Sequence, residues 1–208
     1  MDLTMLSSPW IVALVVLLSL AFLAIILYRN RQFRLKQTLH ENLAEELGLK
    51  ITYTQGKNFT IFGNSKDYPV HISPVQAADA TSGKYSWAVK ISLPMINPNL
   101  MAIRISRNDV EPSPLLDQIP VYRPQPLSHS IAPWLEVLTN DLMFSHRILS
   151  DEIKMDLVVN FKNVPGAILY VMDNELACLI PGLLNEKYPA EACKQFLALL
   201  ISIKDELN

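Results

Sequence analysis

Cysteine, glycine and histidine are scarce in this chain, and each shortage removes a class of chemistry. Cys178 and Cys193 are the only cysteines in 208 residues, too few for a disulfide scaffold. The six glycines are Gly48, Gly56, Gly63, Gly83, Gly166 and Gly182, no two closer than seven residues. Phosphate loops need clustered glycines, so that backbone N–H groups can approach the anion; Walker-type and dinucleotide fingerprints are therefore absent. His40, His71, His129, His146 and the two cysteines are spaced at least fifteen residues apart, far beyond the spacing of local metal motifs. His40-Glu41 does not open an H-E-x-x-H zinc motif, because Ala44 stands at the second histidine position. This pair reads as the solvated side of a helix.

Nucleophile motifs are equally sparse, with no G-x-S-x-G elbow in the chain. Asp141, Ser145 and His146 bring three catalytic residue types into six positions. They read as a solvated helix end, with His146 and Arg147 where the helix dipole favours cations. An excess of positive charge is missing too. Residues 37–208 hold 14 Lys/Arg against 19 Asp/Glu, which disfavours nucleic acid, whose binding depends on cations that displace phosphate counterions. No cofactor or metal is expected, and the sequence points away from an enzyme.

What the chain does have is one long apolar run. Ile11 to Leu27 reads IVALVVLLSLAFLAIIL, seventeen residues without a charge. With Trp10 and Tyr28 at its ends it spans residues 10–28, enough at ~1.5 Å per residue to cross a hydrocarbon core of roughly 30 Å. Aromatic rings at both ends suit the headgroup level. A cleaved signal peptide needs a positive n-region and a small-residue cleavage site; residues 1–9 carry no Lys or Arg, and Tyr28-Arg29-Asn30-Arg31 follows the run.

Orientation follows from the flanks. Asp2 is the only charge before the run, whereas Arg29, Arg31, Arg34 and Lys36 follow it with no acid until Glu41. Basic flanks stay on the cytoplasmic side, so the expectation is a single-pass anchor in the inner (plasma) membrane, N-terminus outside and C-terminal part cytoplasmic. The same four residues could meet anionic lipid headgroups. A cytoplasmic location would leave the sequon Asn58-Phe59-Thr60 unmodified, and Asn208 after Lys204-Asp205-Glu206-Leu207 spoils the terminal retention signal that tetrapeptide spells.

The layout expected from pattern is residues 1–9 as a short extracytoplasmic segment, 10–28 as the transmembrane helix, 29–48 as a basic juxtamembrane helix and 49–208 as a soluble α+β domain. Leu35, Leu39, Leu43 and Leu47 recur every fourth residue, and Gly48 supplies a helix C-terminal stop. No Pro or Gly separates this helix from the apolar run, so one rod from Trp10 to Leu47 can form. The leucine stripe either packs on the domain or offers Leu35, Leu39 and Leu43 to a protein partner or a second copy; packing within the chain is favoured, since coiled coils want several heptads.

Short β-prone stretches follow at 49–54, 59–62, 70–73, 85–93 and 100–106, read as an antiparallel meander of four or five strands. Turns are expected at 55–58, at Gly63-Asn64-Ser65 and at Asn97-Pro98-Asn99, with an exposed loop over 76–84. Alternation in SWAVKISL places Trp87, Val89, Ile91 and Leu93 on one face. Residues 107–133 hold a cluster of prolines and read as a crossing that is neither sheet nor helix, a strap over the sheet rather than a loop presenting Tyr122, Arg123 and Trp134. Helices are expected over 134–144 (Pro133 at the first turn) and from Ser150 to about Phe161, then a hairpin at 167–180 and a final helix from Pro189. Strands, helices, a hairpin and a helix in that order indicate an α+β fold.

Two functions fit this layout, which many small bacterial inner-membrane proteins share. The first is a membrane-anchored protein-interaction or assembly module, which would expose an apolar patch. The second is a tethered small-molecule or lipid-sensing domain, which would enclose a pocket with a few convergent polar groups.

Overall fold

The structure, a computed structural model, describes residues 9–54, 59–78, 85–97, 99–110, 119, 125–126, 131–182 and 187–207. The chain divides into two units, residues 1–39 and 40–208.

Helix α1 (Pro9–Glu46) is unbroken over 38 residues, about 57 Å at ~1.5 Å per residue. It is long and apolar enough to cross a membrane, and none of its most apolar stretch is buried. The hydroxyl of Ser19 donates to the carbonyl of Val15 at 2.8 Å, which satisfies the one polar side chain of the run. The helix ends where Gly48 adopts φ +66°, a left-handed turn that costs glycine nothing.

The second unit is a nine-stranded sheet, wholly antiparallel, in the order β1-β2-β3-β4-β9-β8-β5-β7-β6. Its strands are β1 (Lys50–Tyr53), β2 (Phe59–Ser65), β3 (Tyr68–Ala78), β4 (Tyr85–Pro94), β5 (Ile103–Arg107), β6 (Gln125–Pro126), β7 (Leu135–Thr139), β8 (Ile168–Met172) and β9 (Glu175–Pro181). Helices α2 (Leu142–Ile148), α3 (Asp151–Asn163) and α4 (Lys187–Leu207) complete it. The expected α+β class and closing hairpin-helix order hold. The meander, however, stops at β4: the β8–β9 hairpin pairs with both β4 and β5 and lies between them. Sequence order cannot show such an insertion, because a hairpin made late can take any free edge.

Alternation sorts the two faces. Val89, Ile91, Leu93, Ile103, Ile105, Leu169, Val171 and Cys178 face the helices and join a core with Phe144, Ile153, Phe161 and Phe196. Phe161 and Phe196 meet edge to face at 5.6 Å between centroids. Trp87 keeps the expected face, as the unbroken β3–β4 register requires, but is half exposed while its three strand-mates are buried. The opposite face carries a smaller cluster of Ala88, Ile168, Tyr170, Ala177 and Leu179, covered by Ile119. Arg104 donates to the Ile119 carbonyl at 3.1 Å, so the Pro-rich segment does strap the sheet at that point. Its strand β6 corrects the reading of 107–133 as free of sheet: Gln125–Pro126 pairs with β7 at the sheet edge, the place where a strand tolerates proline.

Four further expectations are corrected. Residues 134–144 are not one helix, because Leu135, Val137 and Thr139 are buried at every second position and pair with β5 as β7. Helix α2 starts later, with Asp141 as N-cap accepting from the Phe144 amide. The turn expected at Gly63-Asn64-Ser65 is strand. Gly63 pairs with Val70, and a Cβ there would lie 3.0 Å from Leu49 Cδ2, so this glycine permits close approach. Reversal occurs two residues later at Lys66 and Asp67, both left-handed (φ 47° and 69°), the mirror-type turn favoured in hairpins. Strand β3 also runs on to Ala78, consuming the start of the expected loop over 76–84; residues 79–84, like the turn at 55–58, lie outside the described residues. The first strand after Asn97-Pro98-Asn99 begins at Ile103, since Leu100 is left-handed (φ 50°).

Candidate functional site

The four bases expected to set topology, Arg29, Arg31, Arg34 and Lys36, are all exposed on α1. At about 100° per residue they fall on two opposite sides, Arg29 with Lys36 and Arg31 with Arg34, which makes a collar rather than a single basic face. The leucine stripe is divided. Leu35 and Leu39 are 53% and 40% exposed, whereas Leu43 is 2% exposed and belongs to the core of the second unit. His40, expected on the solvated side, is instead buried, with its ring 4.0 Å from that of Phe59.

The residues considered for catalysis are not brought together. Asp141 caps α2, the buried Ser145 hydroxyl donates to the Leu142 carbonyl at 2.8 Å, and His146 is exposed. Cys178 and Cys193 are free and buried; loss of hydration pushes the Cys178 thiol well up and Cys193 to about 12, so both are inert thiols. Trp134 is half buried and packs under the Arg107 guanidinium at 4.6 Å, which Asp109 holds from the other side at 2.6 Å. Its role is structural; Tyr122 and Arg123 lie outside the described residues. No group of three metal-ligating side chains occurs among the described residues.

What the structure does assemble is an open groove of about 580 Å³ between the segment after β4, helix α2 and the last turn of α4. Met95, Ile96, Met101, Met143, Phe144 and Leu207 line it, with Asn99, Asp141, Arg147 and Lys204. The segment after β4 is held firmly. Asn97, 2% exposed, clamps Met101 by donating to its carbonyl at 2.8 Å and accepting from its amide at 3.0 Å. Asn140 accepts from the Ala102 amide at 2.6 Å and donates to the Leu100 carbonyl at 3.0 Å. Asn174 of the β8–β9 turn accepts from the amides of Met95 and Asn97.

Several large apolar side chains on this segment and on α2 are exposed. Ile96 is 87% exposed, Met143 85%, Leu100 70% and Leu142 42%. Covering a side chain of that kind fully is worth about 1.5–3 kcal/mol, so Ile96 and Met143, both in the lining, gain by being covered. Two cations adjoin it, at the C-terminal ends of α2 and α4. Neither Arg147 nor Lys204 forms an ion pair among the described residues. Partial burial pushes the Lys204 ammonium below its ordinary value. Asp141 is the one acid in the lining, and its carboxylate is engaged by the Phe144 amide at 3.0 Å.

Sequence reasoning missed this groove. A signal was present, because MINPNLM is unusually apolar for a surface turn. Reading 134–144 as one helix conceals its partner Met143. A second hollow of about 520 Å³, beside Gly63, His71, Ser92 and Glu175, is shallower and has no comparable apolar rim.

No protein-family model matches the chain, and no curated protein does either. Among solved structures, the fold is similar to the crystal structure of the mycobacterial trehalose monomycolate transport factor A, TtfA, with a TM-score of 0.56 at 12% sequence identity, covering 85% of this chain and 94% of that one. At that identity the likeness is one of fold alone.

Proposed function

We propose that this is a single-pass membrane protein whose folded unit is a protein-interaction or assembly module, with the N-terminus outside and the C-terminal domain cytoplasmic. Residues 10–28 are the span, 29–48 the basic juxtamembrane helix and 49–208 the folded domain. The observation that carries the interaction role is the exposed apolar pair Ile96 and Met143 in the groove lining, with Leu100 and Leu142 exposed on the same two segments. Surfaces of this kind on soluble units mark contact with another macromolecule, and methionine suits them because its flexible thioether adapts to a partner. Arg29, Arg31, Arg34 and Lys36 fix the orientation and adjoin the lipid headgroups. Leu35 and Leu39 offer a further partner face on α1; Leu43 serves the domain core.

Topology is tested by replacing the four bases with Gln and adding Lys near residue 5. A C-terminal reporter should then move across the membrane, and a reporter that stays cytoplasmic refutes the orientation. The interaction role is tested by purifying the full chain in mild detergent and identifying proteins and lipids together. A stoichiometric protein that is lost on Ile96→Asp and Met143→Asp supports it.

A second reading, a lipid-sensing or small-molecule domain, rests on the size of the groove, which falls in the range of about 300–1,000 Å³ usual for ligand sites. The similar fold of a protein named for transport of trehalose monomycolate is in keeping with it. A single enriched amphiphile in place of a protein would favour this reading.

A further inference from the structure

The groove has a counterpart elsewhere on the same domain. Helix α3 buries Ile153, Leu157, Asn160 and Phe161. Its outer side carries Glu152, Met155, Asp156 and Val159, at the i, i+3, i+4, i+7 spacing of a single stripe. All four are exposed, Met155 at 71% and Val159 at 55%. Two acids one turn apart repel each other on a helix surface. Lys154, the nearest base in sequence, pairs with Asp151 at 2.8 Å, and neither Glu152 nor Asp156 forms an ion pair among the described residues. The stripe is therefore apolar and acidic, and the groove is apolar with two cations that form no ion pair among the described residues.

The geometry points to self-assembly: the Glu152–Val159 stripe of one copy docks in the groove of a second, with its acids facing Arg147 and Lys204 and Met155 and Val159 covering Met143 and Ile96. A second copy is the favoured occupant because both halves of the contact lie on this chain and match in charge sign as well as in apolar character. A free amphiphile would fill the groove but leave the α3 stripe unexplained. Stripe and groove are different surfaces, so the contact is heterologous and propagates into a ring or a chain of copies unless a twofold axis lets both contacts form at once. This proposal rests on the interaction reading above, and tethering in a bilayer would favour it by raising the local concentration of copies.

The test uses the full-length chain in native membranes. Differently tagged Met143→Cys and Met155→Cys chains are co-expressed and exposed to a mild oxidant; the two native cysteines are buried and do not compete. The expected result is a mixed disulfide at least tenfold above either like-with-like product. Adding Arg147→Glu and Lys204→Glu to the first chain should abolish it, as should Glu152→Lys and Asp156→Lys in the second. Combining the two charge-reversed chains should restore it, which a mere folding defect could not do. Absence of the mixed product, equal like-with-like products, or indifference to charge reversal overturns the proposal. If crosslinking fails while a stoichiometric foreign protein co-purifies through Ile96 and Met143, only self-assembly is lost. If an amphiphile occupies the groove instead, the interaction reading falls with it.

Discussion

Two helices in this molecule are rich in large apolar residues, and they do opposite things with them. Over residues 10–28 of α1 the apolar side chains run all round the helix, and every large one described is exposed. Helix α4 places Cys193, Phe196, Leu197, Leu200, Ile201 and Ile203 against the sheet, while Glu191, Gln195, Ala198 and Asp205 recur on the outer side. Both content and pattern differ: Ser19 is the one polar residue in 10–28, whereas α4 interleaves its apolar residues with six charged ones. A stripe at helical spacing can be covered by a sheet on one side with water on the other. A helix apolar all round needs an apolar environment on every side, which a single sheet cannot provide.

The sharpest way to break this contrast is to put charge into α1. Two arginines, Leu17→Arg with Leu20→Arg, should cost membrane insertion about 5–7 kcal/mol on the cellular insertion scale. The chain should move from the alkali-resistant membrane fraction to the soluble one. If it stays, α1 is not a span.

A phenylalanine in each helix gives the next test. Phe196 is fully buried and Phe22 is 66% exposed. Phe196→Ala should destabilise the domain by about 3–5 kcal/mol through lost burial and a residual cavity, read as a lower denaturant midpoint. Phe22→Ala should leave that midpoint unchanged. Equal shifts would mean that α1 owes its exposed face to something other than the environment proposed here.

A smaller effect concerns α3, which packs beside α4. The Ser150 hydroxyl accepts from the Ile153 amide at 3.4 Å, a long bond for an N-cap. Ser150→Ala should therefore cost about 0.5–1 kcal/mol, at the weak end of the capping range, by chemical denaturation. A loss larger than that would show the cap to be coupled to the α3–α4 packing.

The same contrast explains what was legible in the sequence. The all-round apolar run, the stripe of α4, the Ser150 cap and the β8–β9 hairpin are local patterns, and each is present in the structure. What escaped depended on partners distant in sequence. LEVLT after Pro133 has helix-compatible residues, and only pairing with β5 makes it a strand. His40 looked solvated because Phe59, which covers it, comes nineteen residues later. The groove drew its walls from three separate stretches of chain, so no window of sequence contained it. Leu35, Leu39 and Leu43 looked alike as a stripe, yet only the third lies where the domain reaches the helix.

The smallest expected effect sits where the end of α1 meets α4. Lys194 pairs with Glu46 in the last turn of α1 and with Glu191 at 3.2 Å. The hydrogen bond to Glu46, then that to Glu191, holds its ammonium above its ordinary value. A base with a raised folded-state pKa stabilises the fold fully below its unfolded value and loses that contribution as the pH climbs through the raised one. Lys194→Met should therefore lower the denaturation midpoint slightly near neutral pH, and the gap to wild type should close as the pH rises from the ordinary lysine value of 10.5 through the raised one. The pair is solvent-screened, so added salt should narrow the gap as well. Membrane fractionation should be unaffected throughout, because the pair secures the domain end of the helix and contributes nothing to the span.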